Sequence, residues 1–355
     1  MSRGARLAAH SAVSASLAGC DDRVLRGLVD SAVPVGSGIG GTSALLEVEG
    51  TPVFVKRVPL TDLERQPEHL RSTANLFEVP VFCQYGIGRH GIGGPGFGAW
   101  RELAVQAMTT HWVLAGDHEG FPLMHHWRVL PDSQPLPDEL ADVERAVAFW
   151  GGAPQVRDRI RALQRSSASV VLFLEYIPQN LHQWLGTQVE GGDDIANRAC
   201  AMVVRELAAG TAFMNSRGLL HFDAHFENIL TDGQRLYYAD YGLAMSSAFE
   251  LSRDEGEFFD RHQDYDRCYS AMYLVNWLVT ALCGYRREDR EGRLAQVRAY
   301  ADGERPAGVP DEAAAILTRY APIAAVMSEF QSSLLRGRAQ TPYPLEEIRR
   351  IGGIA

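Results

Sequence analysis

The stretch HFDAHFEN, residues 221–228, places two histidines, two carboxylates and an amide within eight positions. Three readings compete for it: a metal site, a catalytic loop, or a polar turn without chemistry. In an extended strand His221, Asp223 and His225 would share one face, because side chains alternate with period two. That set suits Zn²⁺ or Fe²⁺ and would make a metallohydrolase or an oxygenase. The surrounding sequence decides between them.

Downstream, LYYADYGLA (236–244) adds Asp240 twelve residues beyond Asn228. Upstream, AVPV (32–35), TSALLEVEG (42–50) and TPVFVKRV (51–58) read as strands, joined by GSGIGG (36–41) and by a turn at Glu49-Gly50. Glycines allow backbone N–H groups to approach phosphates without Cβ obstruction. Lys56 is a lone charge inside an apolar strand, where a charge is costly unless paired. GxGxxG also occurs at Gly86/Gly88/Gly91 and at Gly91/Gly93/Gly96, which shows how weak the pattern is alone. There the next helix starts near Gly98, after the glycines are used, and no βαβ series follows. A dinucleotide site is therefore set aside, and 86–98 reads as a loop.

These motifs in this order resemble the protein-kinase-like superfamily, over most of the chain. Gly36-Ser37-Gly38-Ile39-Gly40-Gly41 resembles the glycine-rich loop and VFVK, ending in Lys56, the strand lysine. FLEYIPQNLHQWL (173–185) is similar to the hinge and its helix, HFDAHFEN to the catalytic loop, and Asp240-Tyr241-Gly242 to DFG. The resemblance implies an α+β, bilobal fold, with a small antiparallel sheet and one key helix before a larger helical lobe. It implies ATP and Mg²⁺ as cofactors. Gly36, Ser37, Gly38 and Gly41 would cover the phosphates, Lys56 would bind them and pair with a helix glutamate, and backbone from Glu175 to Ile177 would bind adenine. Asp223 would orient the acceptor hydroxyl and take its proton, while Asn228 and Asp240 would hold Mg²⁺. Mg²⁺ prefers such oxygen donors to imidazole. On this reading His221 is structural, whereas the metal-site rival leaves Lys56, the glycine hairpin and DYG unexplained.

Three glutamates could pair with Lys56. Glu64 and Glu68 lie nearer in sequence, but Glu102 opens an apolar helix (100–116) that leads directly into the strand candidate FPLMHHWRVLP (121–131). Glu102 is preferred, which makes 60–98 an insertion. Residues 60–75 are expected to be a polar helix, and 77–88 a short strand entering the loop. Residues 132–168 form a second insertion, a Pro-rich linker followed by amphipathic helix. Residues 1–30 are an N-terminal extension, 31–176 the first lobe and 177–355 the second.

The sequence also departs from the family. Phe222 stands where many protein kinases have an Arg that receives a phosphorylated loop, and 243–263 contains no Thr or Tyr and no APE motif. His225, two residues after Asp223, is where Ser/Thr kinases commonly carry Lys. Asp-x-His-x-x-Asn is similar to aminoglycoside and other small-molecule phosphotransferases, so His225 joins the catalytic candidates. A protein Ser/Thr kinase of bacterial type is favoured. A small-molecule kinase and a pseudokinase scaffold are the alternatives. Asp264 and Asp266 open an apolar helix, where one would brace the catalytic loop or cap the helix.

The remaining numbers set limits. With 355 residues, 46% hydrophobic and 22% charged, the chain suits a globular protein of one large bilobal domain or two ordinary ones. A net charge of −10 argues against a general nucleic-acid surface. Five scattered cysteines without CxxC fit reduced thiols and a cytoplasmic location. Leu17-Ala18-Gly19-Cys20 has the form of a lipoprotein cleavage box, but the preceding segment holds a histidine and three serines and is too weakly apolar. The apolar run 269–285 is shorter than the ~20 residues needed to span a bilayer.

Overall fold

The computed structural model describes residues 2–38, 40–85, 94–286, 288–336 and 340–352. Both glycine matches of 86–96 lie largely outside the described residues. The chain forms an α+β structure that divides into two units, Met1–Ile177 with Asp240–Gly256, and Pro178–Ala239 with Glu257–Ala355.

In the first unit, α1 (Arg3–Ala18) and α2 (Asp22–Ser31) precede three strands, β1 (Val33–Gly38), β2 (Gly41–Val48) and β3 (Thr51–Leu60). After α3 (Ala99–Ala115) and β4 (Met124–Pro131) come α4 (Asp138–Ala141), α5 (Val143–Phe149), α6 (Pro154–Gln164) and β5 (Ala168–Glu175). The five strands make one antiparallel sheet in the order β1-β2-β3-β5-β4. Strand alternation sorts its side chains. Val53, Val55, Val171 and Phe173 face α1 and α2, packing on Val13, Leu17, Leu25 and Val29. Phe54, Val58, Leu60, Val170, Leu172 and Leu174 face Trp100 and Leu103 of α3. Both faces of β5 are covered, which is why its sequence is a continuous apolar run. Each such buried aliphatic side chain contributes roughly 1.5–3 kcal/mol.

Two local expectations are corrected. Residues 60–75 hold no α-helix; β3 runs to Leu60 and only a single 3₁₀ turn, Pro67–His69, follows. Pro67 interrupts the segment, and it has too few spaced apolar residues to bury a helical face. In the described part of 77–88, residues 77–85, a 3₁₀ turn, Val81–Gln84, stands in place of the expected strand. The helix after Gly98 begins at Ala99 and ends at Gly116, whose left-handed φ of 83° closes it.

The chain enters the second unit with β6 (Gln179–Asn180), α7 (Leu181–Glu190), α8 (Asp193–Ser216), β7 (Leu219–Leu220), β8 (Ile229–Thr231) and β9 (Leu236–Tyr238). It returns to the first for β10 (Met245–Ser246) and the start of α9 (Arg253–Arg261). Then α10 (Tyr265–Leu282), α11 (Arg290–Ala301), α12 (Asp311–Leu335) and α13 (Leu345–Arg350) complete the second unit. Strands β6, β8 and β9 form a small antiparallel sheet. It sits tightly on α8, where a Cβ on Gly210 would lie 2.2 Å from the Tyr238 ring. Among the described residues no helix is long and apolar enough to cross a membrane.

Candidate active site

Lys56 lies on the α3 face of β3, with the parity of Phe54 and Val58. Its Nζ donates to Glu102 Oε1 at 2.6 Å and to Asp240 Oδ1 at 2.9 Å. The Lys56 and Glu102 side chains are 9% and 2% exposed, and that of Asp240 is 42% exposed. Burial alone would lower the lysine pKa, but Asp240 and Glu102 hold it above its ordinary value, so the ammonium persists. Burial pushes the Glu102 carboxyl up, against the pull of Lys56. Thus two carboxylates share one cation.

Glu102, and neither Glu64 nor Glu68, meets Lys56. Glu68 is exposed. Glu64 is buried and otherwise engaged. Its Oε1 accepts from Ala99 N at 2.8 Å, at the first residue of α3, and its Oε2 accepts from Thr61 N, Thr61 Oγ1 and Arg159 Nη1 at 2.6–2.9 Å. Gly98, the residue before α3, has no side chain to cap the helix, so Glu64 supplies the acceptor. Burial alone would raise the Glu64 pKa, but Arg159 and Thr61 hold it below the usual carboxylate range.

The glycine hairpin joins β1 to β2, pairing Gly36 with Ser43, Ser37 with Thr42 and Gly38 with Gly41. Gly41 is required by the backbone. Its φ is +114°, and a Cβ there would meet the Arg57 carbonyl oxygen at 1.9 Å. A Cβ on Gly40 would lie 3.0 Å from Lys56 Nζ and 3.6 Å from Asp240 Oδ2, so the hairpin tip rides over this charge group.

Asp240 itself has φ +62°, and Gly242 N donates to its Oδ1 at 3.4 Å. Tyr241 is fully buried and hydrogen-bonds Thr109 of α3; burial raises its phenol pKa. At the end of β5, Glu175 N donates to Leu123 O, and Arg6 of α1 chelates the Glu175 carboxylate through Nε and Nη2 at 2.7–2.9 Å. Glu175 Oε2 also accepts from Leu123 N. Ile177 is buried. Sequence reasoning did not foresee Arg6; a charge among the apolar residues of α1 was its only signal.

In the second unit the 221–228 loop is not a strand, so His221, Asp223 and His225 do not share a strand face. Among the described residues no group of three His, Cys, Asp or Glu is placed to hold a metal ion. His221 is fully buried, contacts Ala239 O through Nε2 at 3.0 Å and packs on Tyr238. The loop is braced from below by Asp266, on α10. Its carboxylate accepts from His221 N at 2.6 Å and Phe222 N at 2.9 Å. Burial raises the Asp266 pKa to about 6, opposed by these two N–H groups. Asp264 instead pairs with Arg267 and makes no side-chain cap.

Phe222 has φ +61°, an expensive backbone for a bulky residue, roughly 1–3 kcal/mol. Its ring lies 4.9–5.8 Å from Phe258, His262 and Tyr265, so the departure from Arg is an aromatic anchor. Asn228 Nδ2 donates to Asp223 O at 3.0 Å and to Asp223 Oδ2 at 3.2 Å, which fixes the Asp223 carboxylate. His225 Nε2 lies 3.8 Å from Asp223 Oδ2, and its Nδ1 3.1 Å from Glu227 Oε2. Tyr273 donates to Glu227 at 2.9 Å. Burial would raise the Glu227 pKa, but His225 and Tyr273 hold it well below the usual range.

No family model matches the chain. The CTD kinase subunit alpha of Saccharomyces cerevisiae is 25% identical to it over 197 residues, 55% of this chain and 32% of the yeast protein. The chain thus spans about a third of the length of that curated relative. The similarity is partial and points to a kinase-like relationship.

Proposed function

We propose that the chain is an ATP- and Mg²⁺-dependent phosphotransferase that moves the γ-phosphate of ATP to a hydroxyl. The observation that carries this reading is the Lys56 ammonium, buried and shared between Glu102 and Asp240 under a glycine hairpin. A buried cation held by two carboxylates is costly to keep and is what a polyphosphate needs. Gly36, Ser37, Gly38 and Gly41 cover the phosphates with backbone N–H groups, and Lys56 binds the α- and β-phosphates. Glu175 and Ile177 offer backbone groups to adenine.

Asp240 and Asn228 carry oxygen donors of the kind a hard cation takes. Asp240 brings a carboxylate, and Asn228, whose Nδ2 is turned to Asp223, brings its amide oxygen. Bound Mg²⁺ would neutralise charge on the transferred and leaving phosphates. Asp223, oriented by Asn228, accepts the proton of the acceptor hydroxyl. The acceptor oxygen forms its bond to the γ-phosphorus as the bond to the β-phosphate oxygen breaks, and ADP leaves. Little covalent help from protein is needed, so the chain contributes positioning and charge.

A protein Ser/Thr hydroxyl is the favoured acceptor, supported by the glycine loop, by DYG and by similarity to a protein named as a kinase subunit. A small-molecule hydroxyl is the second reading. The observation favouring it is His225, placed between Asp223 and Glu227 in an Asp-x-His-x-x-Asn loop. Labelled ATP, offered with a proteome, with aminoglycosides and with small alcohols, separates them. Label in protein bands supports the first acceptor class, and label only in small molecules the second. No label anywhere, with nucleotide bound, makes the chain a nucleotide-binding scaffold.

A further inference from the structure

Residue 101 is an arginine one position before Glu102, and it is 2% exposed. Its Nη2 pairs with Glu255 Oε1 at 2.7 Å, and Glu255 is fully buried. Its Nε donates to Thr73 O at 2.7 Å, and its guanidinium lies 5.4 Å from the centres of both the Phe97 and Phe249 rings. Glu255 is also half of a capping box that starts α9. Its carboxylate accepts from Ser252 N, and its own N–H donates to Ser252 Oγ. One buried ion pair therefore links the helix that carries Glu102 to the segment that follows Asp240.

Residues 72–84 grip the same segment at further points. Gln84 donates to Leu243 O, Thr73 Oγ1 accepts from Glu250 N at 2.9 Å, and Ser72 Oγ donates to Glu250 at 2.6 Å. Within this segment Ser246 is fully buried, whereas Ser247 and Ser252 are exposed. Residues 243–256 hold no Thr or Tyr, and by the family resemblance Phe222 stands where an Arg would receive a phosphate.

We infer that Arg101 and Glu255 are a positioning pair which, with residues 72–84, holds Glu102 on Lys56 and orders the segment after Asp240 without phosphorylation. The inference rests on the phosphotransferase reading above for its kinetic consequence, but its structural half does not. Arg101 touches no reacting atom in this account. It fixes the first turn of α3, and a buried guanidinium–carboxylate pair has one geometry.

The test combines deuterium exchange with kinetics on the full chain. In Arg101→Met, exchange is expected to quicken both in residues 243–256 and in α3, and KM for Mg·ATP to rise at least tenfold. Arg101→Lys, which keeps the charge but cannot bond Thr73 O and Glu255 together, is expected to recover only part of the KM. Phosphatase treatment of the wild type is expected to leave its rate unchanged. Exchange confined to 243–256, a fall in kcat at constant KM, or loss of activity on phosphatase treatment would each overturn the inference. Should Arg101→Met fail to fold, Ser72→Ala combined with Thr73→Val cuts only the outer tethers and reads the same coupling at smaller amplitude. Exchange is measured without turnover. Coupled exchange in a wild type that transfers no phosphate overturns the phosphotransferase reading and leaves the coupling standing.

Discussion

Lys56 and Glu102 project from regular strand and helix, and they meet through side-chain charge alone. The 221–228 loop has no regular secondary structure of its own and is held through its backbone, by two N–H bonds to Asp266 of α10. The first group spends its energy on burying charges and recovers it only while every partner is present. The second spends its energy on backbone strain at Phe222 and recovers it from a carboxylate and an aromatic cluster. Charge clusters should therefore tolerate paired replacement by apolar residues in stability, whereas a braced loop should not tolerate loss of its brace.

The largest effect is expected at the charge group. Lys56→Met leaves Glu102 buried without its cation and should cost roughly 3–5 kcal/mol in denaturant unfolding. Adding Glu102→Met should return most of that stability and none of the phosphate transfer. If the double variant is no more stable than the single one, the contrast drawn above fails on the charge side.

Asp266→Ala leaves two buried N–H groups unpaired at ~1–3 kcal/mol each, offset in part by removal of a buried carboxylate. A loss of about 3 kcal/mol is expected, together with faster exchange at His221 and Phe222. Unchanged exchange there would show that the aromatic cluster alone holds the loop.

A smaller effect is pH-dependent. Burial lowers the His262 pKa from 6.5 to about 4, so its neutral packing on Phe258 adds stability above pH 6.5 that is lost as pH falls towards 4. The Asp266 pKa is raised from 3.8 to about 6, so its contribution is full below pH 3.8 and is lost as pH rises through 6. The two oppose each other within one unit. Relative to wild type, His262→Phe should lose about 2 kcal/mol less stability between pH 6.5 and 4.5, and Asp266→Asn about 2 kcal/mol more. Parallel stability–pH curves for all three proteins would refute both shifts.

The sheet, the glycine hairpin and the order of motifs were legible because each is written locally, in alternation, in glycine, or in a lone lysine within an apolar strand. Glu102 stands apart from Glu64 in the sequence because its helix leads directly into β4. What stayed illegible is long-range. Nothing near Glu64 says that its carboxylate caps a helix 35 residues away, or that Arg159 will neutralise it. The expected helix at 60–75 gave way because Pro67 interrupts it and it lacks the spaced apolar residues to bury a face. Likewise Asp264 and Asp266 are both acids at a helix start, and only the position of the loop tells brace from surface pair.

The most direct test of the account is transfer of labelled γ-phosphate by Asp223→Asn beside Asp240→Asn and the wild type, with Mg·ATP binding measured on the same samples. The account predicts Mg²⁺-dependent transfer by the wild type. In Asp223→Asn it predicts near-complete loss of transfer with nucleotide binding retained, and in Asp240→Asn loss of both transfer and Mg²⁺-dependent binding. Wild-type turnover in the Asp223 variant would contradict it.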